Sequence, residues 1–163
     1  MKNPGHDEAL LRGVSLMKNA TIRIQRDKVF YFDPYKIDGE SKDADFIFVS
    51  HDHFDHLSVE DIRKLVKDDT VLIAPESSAA LLAEAGFTNV TAVRPSGSYT
   101  VGGVSFSTVP MYNIGKKFHE KHKNWVGYVV NIDGADYYFA GDTDLIHEME
   151  TIKADVAFLP VGG

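Results

Sequence analysis

The stretch that most constrains this chain is residues 49–58, where histidines and aspartates alternate at His51, His53, Asp55 and His56. Three of the seven histidines of the chain fall within six consecutive positions here. Imidazole and carboxylate groups are the ligands that zinc, manganese and iron take from proteins. Three crowded imidazoles without a shared partner would repel one another or leave hydrogen bonds unmade. We therefore interpret the stretch as a candidate metal site rather than as a polar turn.

The residues on either side of the stretch predict a strand before it and a helix after it. Residues 45–49 are apolar and β-prone, which is typical of a buried strand. Ser58 and Asp61 resemble a capping box with Asp in place of Glu, which predicts the start of a helix. The candidate ligands therefore lie in a short loop that begins at the end of a rigid strand.

The spacing within the loop predicts two pairs of ligands. His51 and His53 are two positions apart, so in an extended chain their side chains point to one side. Asp55 and His56 follow in the turn, where they are free to face a second point in space.

Composition limits what else can bind a metal and what else the chain can contact. With 163 residues, of which 44% are hydrophobic, the chain fits one globular domain over residues 1–163. It has no cysteine, so His, Asp and Glu must supply any metal ligands. The formal net charge of −7 argues against a general nucleic-acid-binding surface. No apolar run approaches the roughly 18 residues of a membrane span, and residues 1–8 lack a secretory signal, so we expect a cytoplasmic protein without a membrane partner.

Apolar periodicity predicts alternating strands and helices along the chain. Lys67, Asp68 and Asp69 are expected to close the first long helix, and Gly86 to cap the second. This order predicts an α/β fold in which helices cover sheet layers. The predicted elements are a hairpin (20–25 and 28–33), a strand (45–49), a helix (58–66), a strand (71–74), a helix (76–85), a strand (90–94), a hairpin (99–101 and 104–109), a second hairpin (125–132 and 136–140), a short helix (145–152) and a strand (156–159).

A second candidate group of ligands is the run Gly141, Asp142, Thr143 and Asp144. Asp142 is expected at the exit of a strand, where a carboxylate can bridge two cations with its two oxygens. Gly141 would let the backbone approach closely, because it has no Cβ. The alternative is that Asp142 or Asp144 caps the helix that follows.

The loop at residues 112–125 carries a basic cluster in an otherwise acidic chain. Such a cluster could attract a substrate phosphate or carboxylate by long-range steering, or it could be a solvated charged loop. Tyr112 and Trp125 flank the loop and either line a pocket or pack in the core. The four lysines of the cluster are Lys116, Lys117, Lys121 and Lys123.

The spacing His-x-His-x-Asp-His is that of the metallo-β-lactamase superfamily, which this chain resembles over residues 20–163. It is similar to one branch in particular, the small metal-dependent hydrolases related to ascorbate-6-phosphate lactonase. The motifs that carry this resemblance, besides the histidine stretch, are Tyr112-Asn113, Phe118-His119, Trp125-x-Gly127-Tyr128, Gly141-Asp142-Thr143-Asp144 and Leu159-Pro160-Val161-Gly162-Gly163.

The resemblance implies a fold and a ligand set. The fold is an αβ/βα sandwich of two mixed sheets with helices outside. His51 and His53 would hold one metal ion, Asp55 and His56 a second, and Asp142 would bridge them. The capping role then falls to Asp144.

The family pattern also implies a further ligand, usually histidine, after the strand that ends near Pro110. Asn113 stands at that place, and its neutral carbonyl oxygen is a weaker ligand for zinc. His119 and His122 follow a few residues on. We expect His119 to be the ligand; the alternative is that both histidines are solvated.

The function implied is hydrolysis with one or two divalent ions, of which zinc and manganese are the ones we expect. A metal-activated water would attack a lactone or phosphoester in a small anionic or ester substrate. Asp55 would hydrogen-bond the nucleophile and pass its proton to the leaving group. The alternative is a metal-binding module that is non-catalytic or incomplete, and a nuclease is disfavoured by the acidic charge.

Members of the family continue beyond the Gly162-Gly163 motif with a helix, a strand and a final metal-binding histidine. The domain is therefore expected to be C-terminally truncated relative to the family, to be completed by another chain, or to have a reduced site. An unpaired sheet edge invites strand pairing with a neighbour, which leaves a homo-oligomer open.

Overall fold

The computed structural model describes residues 4–161 and shows two β-sheets packed face to face. The Gly162-Gly163 motif lies outside the described residues. The elements in chain order are α1 (Pro4–Leu11), β1 (Val14–Leu16), β2 (Ile22–Gln25), β3 (Val29–Phe32), β4 (Ala44–Phe48), α2 (Val59–Leu65), β5 (Val66–Pro75), α3 (Glu76–Glu84), β6 (Val90–Val93), β7 (Ser98–Val101), β8 (Val104–Pro110), a 3₁₀ turn (Lys121–Lys123), β9 (Val126–Ile132), β10 (Ala135–Phe139), a second 3₁₀ turn (His147–Thr151) and β11 (Val156–Phe158).

Both sheets are mixed, as the resemblance implies. The first has the order β1-β2-β3-β4-β5-β6, with antiparallel pairing from β1 to β3 and parallel pairing from β3 to β6. The second has the order β11-β10-β9-β8-β7, in which only β10 and β11 are parallel among the described strands. Since β3 and β4 are parallel neighbours, the residues that follow them lie at the same end of the sheet.

The core between the two sheets is largely aromatic. Phe32 and Phe48 stack with ring centroids 5.0 Å apart, and Phe48 meets Tyr128 of the second sheet edge to face at 4.9 Å. Each such pair contributes about 0.5–1.5 kcal/mol beyond the area that it buries. The hydroxyl of Tyr128 donates to the carbonyl oxygen of Val49 at 2.7 Å, so the second sheet is bonded to the strand that leads into the histidine stretch.

Helices α2 and α3 pack on the outer face of the first sheet. Ile62 and Leu65 of α2 and Leu82 of α3 are buried in one cluster with Ile47 and Leu72 of the sheet. Helix α2 starts where the capping residues predict, because the Ser58 side chain accepts a hydrogen bond from the backbone N–H of Asp61. Helices therefore lie outside the sandwich, which confirms the predicted architecture.

The prediction that Lys67, Asp68 and Asp69 close the first helix is wrong, because α2 ends at Leu65 and β5 begins at Val66. Thr70 provides the reason. Its hydroxyl accepts from the backbone N–H of Lys67 and donates to the carbonyl oxygen of Ala44. This contact ties the start of β5 to β4 and holds the segment extended.

Two further segments bear on the sequence prediction. Residues 145–152 form only a 3₁₀ turn at His147–Thr151, closed by i→i+3 bonds such as that from Met149 N–H to the Ile146 carbonyl. The predicted hairpins are confirmed, and Asp133 and Gly134 both have positive φ, as a type I′ turn requires. Among the described residues, no helix has the length and apolar character needed to span a bilayer.

Candidate metal centre

Three chain segments meet at one end of the sandwich to form the candidate centre. They are the loop after β4, the loop between β8 and β9, and the loop after β10. The backbone N–H of Val126 donates to the carbonyl oxygen of Ser50 at 3.2 Å, which bonds the first loop directly to the second sheet. Loops far apart in sequence are thereby held together by the ends of strands.

The first part of the centre is a three-histidine face made by His51, His53 and His119. One ring nitrogen of each histidine lies within 4.8 Å of those of the other two. The Nε2 atoms of His51 and His119 are buried and have no hydrogen-bond partner among the described residues. A buried, unpartnered polar atom is costly, so two of them facing one point fit a bound cation. The prediction of His119 as the third ligand is consistent with this geometry.

The second part is built around His56. Its Nε2 lies 2.8 Å from Asp142 Oδ2 and 3.6 Å from Asp55 Oδ2. Asp142 Oδ2 is also 3.7 Å from Nε2 of both His51 and His119. The carboxylate of Asp142 therefore lies between the two groups of candidate ligands, and its role as a bridging ligand stays a prediction. The structure thus brings together the six side chains predicted as metal ligands, namely His51, His53, Asp55, His56, His119 and Asp142.

Asp33 is a buried member of the site that the sequence analysis did not identify. Its Oδ1 accepts from the backbone N–H of Ser50 at 2.7 Å, and its Oδ2 lies 2.7 Å from His56 Nδ1. The Ser50 hydroxyl also donates to Asp33 and lies 2.7 Å from His51 Nδ1. One carboxylate thereby fixes two ring orientations, leaving both Nε2 atoms to face the centre.

The electrostatics of His56 fit a site made for positive charge. Burial lowers the pKa of His56, but its hydrogen bonds to Asp142 and Asp33 outweigh burial and raise the pKa to about 10. Burial acts to raise the pKa of Asp142, yet the hydrogen bond from His56 keeps it below its usual value. The two carboxylates thus stabilise a cation at His56, and a divalent ion at Nε2 would supply that charge in place of the proton.

Two histidines of the three-histidine face have lowered pKa values, in contrast to His56. Burial, with the neighbouring histidines, lowers the pKa of His51 well below its ordinary value. Burial also lowers the pKa of His119. Both rings are therefore held neutral, and the neutral imidazole is the form that binds a metal.

Gly141 permits the close approach that the sequence predicts. Its φ is +66°, and a Cβ at this position would lie 2.5 Å from Met111 Sδ and 3.2 Å from Ser50 Cβ. No larger residue fits between these neighbours without displacing them. Gly141 thus brings Asp142 up to the histidines.

Trp125 forms one wall of the three-histidine face. Its ring centroid lies 5.0 Å from that of His51, 4.9 Å from that of His53 and 5.6 Å from that of His119. The side chain is buried, and its Nε1 has no hydrogen-bond partner among the described residues. Trp125 is thus both a buried residue and a direct neighbour of the candidate ligands.

The remaining candidates in this loop do not reach the centre as ligands. His122 is exposed and pairs with Glu120 at 3.2 Å. The Asn113 side chain contacts His119 Nδ1 rather than the group of ligand atoms. The prediction that Asp144 caps a helix is wrong, because its carboxylate accepts from the backbone N–H of Ile114 and pairs with Lys116 at 2.9 Å. It ties the loop after β10 to the loop after β8.

A surface groove of about 900 Å³ lies elsewhere, between strands β7 and β8 and the second 3₁₀ turn. None of the candidate ligands lines it. The groove is therefore separate from the candidate metal centre.

Comparison with known proteins agrees with this geometry. A sequence profile of the beta-lactamase superfamily domain matches residues 3–163. The chain belongs to the metallo-β-lactamase superfamily. Within the superfamily, a metal-dependent hydrolase of Methanosphaerula palustris is 30% identical over 155 residues, which cover 89% of this chain and 68% of that protein. A metal-dependent hydrolase of Thermococcus kodakarensis is 28% identical over 171 residues, which cover 92% of this chain and 72% of that protein.

Two solved structures have the same fold as this chain. A candidate metal-dependent hydrolase from Parabacteroides distasonis has a TM-score of 0.83 at 30% identity, over 91% of this chain and 69% of that one. A metallo hydrolase from Ignicoccus hospitalis has a TM-score of 0.72 at 20% identity, over 92% of this chain and 70% of that one. At this identity the match shows likeness of fold alone. The chain is thus related to metal-dependent hydrolases, and these matched relatives are longer than it is. The predicted relation to ascorbate-6-phosphate lactonase stays a prediction.

Proposed function

We propose that this chain is a metal-dependent hydrolase that acts on a lactone or a phosphoester. The observation that carries the proposal is the pair of buried Nε2 atoms on His51 and His119, which have no hydrogen-bond partner within residues 4–161 and lie 3.7 Å from Asp142 Oδ2. His51, His53 and His119 would hold one divalent ion, and His56, Asp55 and Asp142 a second. Zinc and manganese suit this set of imidazole and carboxylate ligands.

The ion supplies Lewis-acid chemistry, which makes water nucleophilic at neutral pH and stabilises negative charge on the reacting group. The side chains of the chain supply the rest. Asp55 is partly exposed, and its Oδ2 lies 3.6 Å from His56 Nε2, at the edge of the centre. We propose that this carboxylate accepts the proton of the attacking water and passes it to the leaving group.

The residues beside the candidate ligands favour an anionic substrate with an apolar part. Lys116 and Lys121 are paired with Asp144 and Glu148, whereas Lys117 and Lys123 have no ion pair within residues 4–161. These two lysines remain available to attract a phosphate or carboxylate.

Large apolar side chains are also exposed next to the ligands. Phe54 lies between His53 and Asp55 and is 77% exposed, and Phe118 precedes His119 and is 70% exposed. Exposed aromatic groups at these positions would contact an apolar portion of the substrate.

The test is hydrolysis of lactone and phosphodiester panels by metal-depleted protein, with Mn²⁺ or Zn²⁺ added back. We expect turnover of at least one class that requires the ion. A His53→Ala variant should fall close to background, because it removes one ligand of the three-histidine face. His147→Ala is the matched control, since His147 is exposed and outside the centre. Turnover that is absent or metal-independent in correctly folded protein would refute the proposal.

A further inference from the structure

The structure holds His119 in place by two contacts from one residue, Asn113. The backbone N–H of Asn113 donates to the carbonyl oxygen of His119 at 2.7 Å. The side-chain amide of Asn113 lies against the ring, with Nδ2 and His119 Nδ1 3.1 Å apart. Asn113 therefore contacts both the backbone and the imidazole of His119.

The backbone of His119 needs such support, because its φ is 61°. The left-handed region is unfavourable for a non-glycine residue, because its Cβ then lies too close to a carbonyl oxygen of the backbone. Strain of this kind persists where the surrounding structure enforces it, and it is concentrated at functional sites. The left-handed turn at His119 is part of how the ring reaches His51 and His53, whose ring centroids lie 5.0 Å and 4.8 Å from its own.

The two nitrogens of the His119 ring are placed very differently. Nδ1 contacts the Asn113 amide, whereas Nε2 is buried without a hydrogen-bond partner among the described residues and is 3.7 Å from Asp142 Oδ2. If Nε2 is to give its lone pair to a cation, the ring proton must lie on Nδ1. The group that faces Nδ1 must then accept a hydrogen bond.

We propose that Asn113 is the positioning residue of His119, with its amide oxygen accepting a hydrogen bond from Nδ1–H when His119 holds a metal ion. The oxygen and nitrogen of an amide exchange places by a half-turn about one bond, so Asn113 can present either atom to the ring. Asn113 thus stands at the position where the family pattern has a ligand, and it orients the ligand that follows. This inference rests on the metal centre of the proposed function.

The test compares the zinc affinity of wild-type protein with that of Asn113→Asp and Asn113→Leu, measured by competition with a chromophoric chelator. A carboxylate can only accept, so Asn113→Asp should retain or exceed the wild-type affinity. Leucine can neither donate nor accept a hydrogen bond. Asn113→Leu should therefore bind zinc about 10–100-fold more weakly, as is usual when the partner of a ligating histidine is lost. The backbone bond to His119 remains in both variants.

Asn131→Leu is the matched control, because the Asn131 amide bonds Asp136 on an exposed hairpin and should leave zinc affinity unchanged. Equal affinity in Asn113→Leu and wild type would overturn the inference, and so would an Asn113→Asp variant as weak as Asn113→Leu. Failure of wild-type protein to bind zinc would overturn it as well. Wild-type protein that binds zinc with this order of affinities but hydrolyses nothing would refute the proposed function alone.

A second measurement does not depend on the folding of any variant. In zinc-loaded wild-type protein, the ¹⁵N chemical shifts of the His119 ring should show a protonated Nδ1. An unprotonated Nδ1 would overturn the inference.

Discussion

The buried carboxylate of Asp33 lies 2.7 Å from Nδ1 of His56, although 23 positions separate the two residues in the chain. The contact exists because β3 and β4 are parallel neighbours, so the residue after β3 and the loop after β4 share one end of the sheet. Asp33 is thus placed to fix the orientation of His56, whose other ring nitrogen, Nε2, lies 2.8 Å from Asp142 Oδ2.

We predict that Asp33→Asn weakens zinc binding about 10–100-fold. The amide oxygen can still accept from Ser50, but the amide N–H₂ would then face His56 Nδ1 and favour the ring form whose proton lies on Nε2. Isothermal titration calorimetry of the variant against wild type measures the effect. Asp69→Asn, at an exposed position, is the control, and equal affinities in all three proteins would contradict the assigned role of Asp33.

We predict that Gly141→Ala destabilises the fold and weakens metal binding together. The positive φ costs a side chain about 1–2 kcal/mol, and the clash of Cβ with Met111 and Ser50 adds about 1–3 kcal/mol of overpacking. Urea unfolding measures the free energy, and chelator competition the affinity.

Gly134→Ala is the matched control for the Gly141 variant. Its φ is also positive, at +80°, but a Cβ at this position would meet nothing within 4 Å, so only the backbone cost applies. If both variants lose the same free energy of unfolding, the close approach at Gly141 is not what constrains the loop.

Trp125 should report metal binding directly, because it is the one tryptophan in the sequence and contacts all three histidines of the first face. Titration with Co²⁺, which quenches nearby indoles, should lower the emission to a saturating value. In His51→Ala the titration should lose its high-affinity phase. Quenching that is the same in wild type and His51→Ala would place the ion elsewhere.

Because Lys117 and Lys123 are available to attract an anion, we predict that the rate of reaction with an anionic substrate depends on the salt concentration. Exposed charges are screened over about 8 Å at physiological ionic strength, so kcat/KM should fall as salt rises. The variant Lys117→Gln with Lys123→Gln should lose most of this dependence, while Lys28→Gln, outside the loop, should keep it. A salt dependence unchanged in the double variant would remove these lysines from substrate attraction.

The parts of the fold that follow from local pattern were predictable from sequence. The histidine stretch after a buried strand, the hairpins with Gly102-Gly103 and Asp133-Gly134, and the capping by Ser58 each depend on a few adjacent residues. The superfamily and its sandwich fold are what the resemblance of the histidine stretch and the later motifs implies, and both are confirmed.

What sequence could not predict depends on contacts between distant segments. In the sequence, Asp33 is only the polar end of a predicted strand, and its contact with His56 depends on the pairing of β3 with β4. Asp144 has the sequence position of a helix cap, but in the structure its carboxylate accepts from the backbone N–H of Ile114. The boundary between α2 and β5 similarly depends on a hydrogen bond from the Thr70 hydroxyl to the carbonyl oxygen of Ala44. The sequence signal for Asp33 was a carboxylate at the end of a predicted strand.

Anomalous diffraction from crystals soaked in Zn²⁺ tests most directly whether these imidazoles and carboxylates hold a divalent ion. We predict a peak about 2.0–2.1 Å from Nε2 of His51 and of His119, with any second peak beside His56 and Asp142. The absence of a peak at these nitrogens in well-ordered crystals, or a peak only at the protein surface, would contradict this.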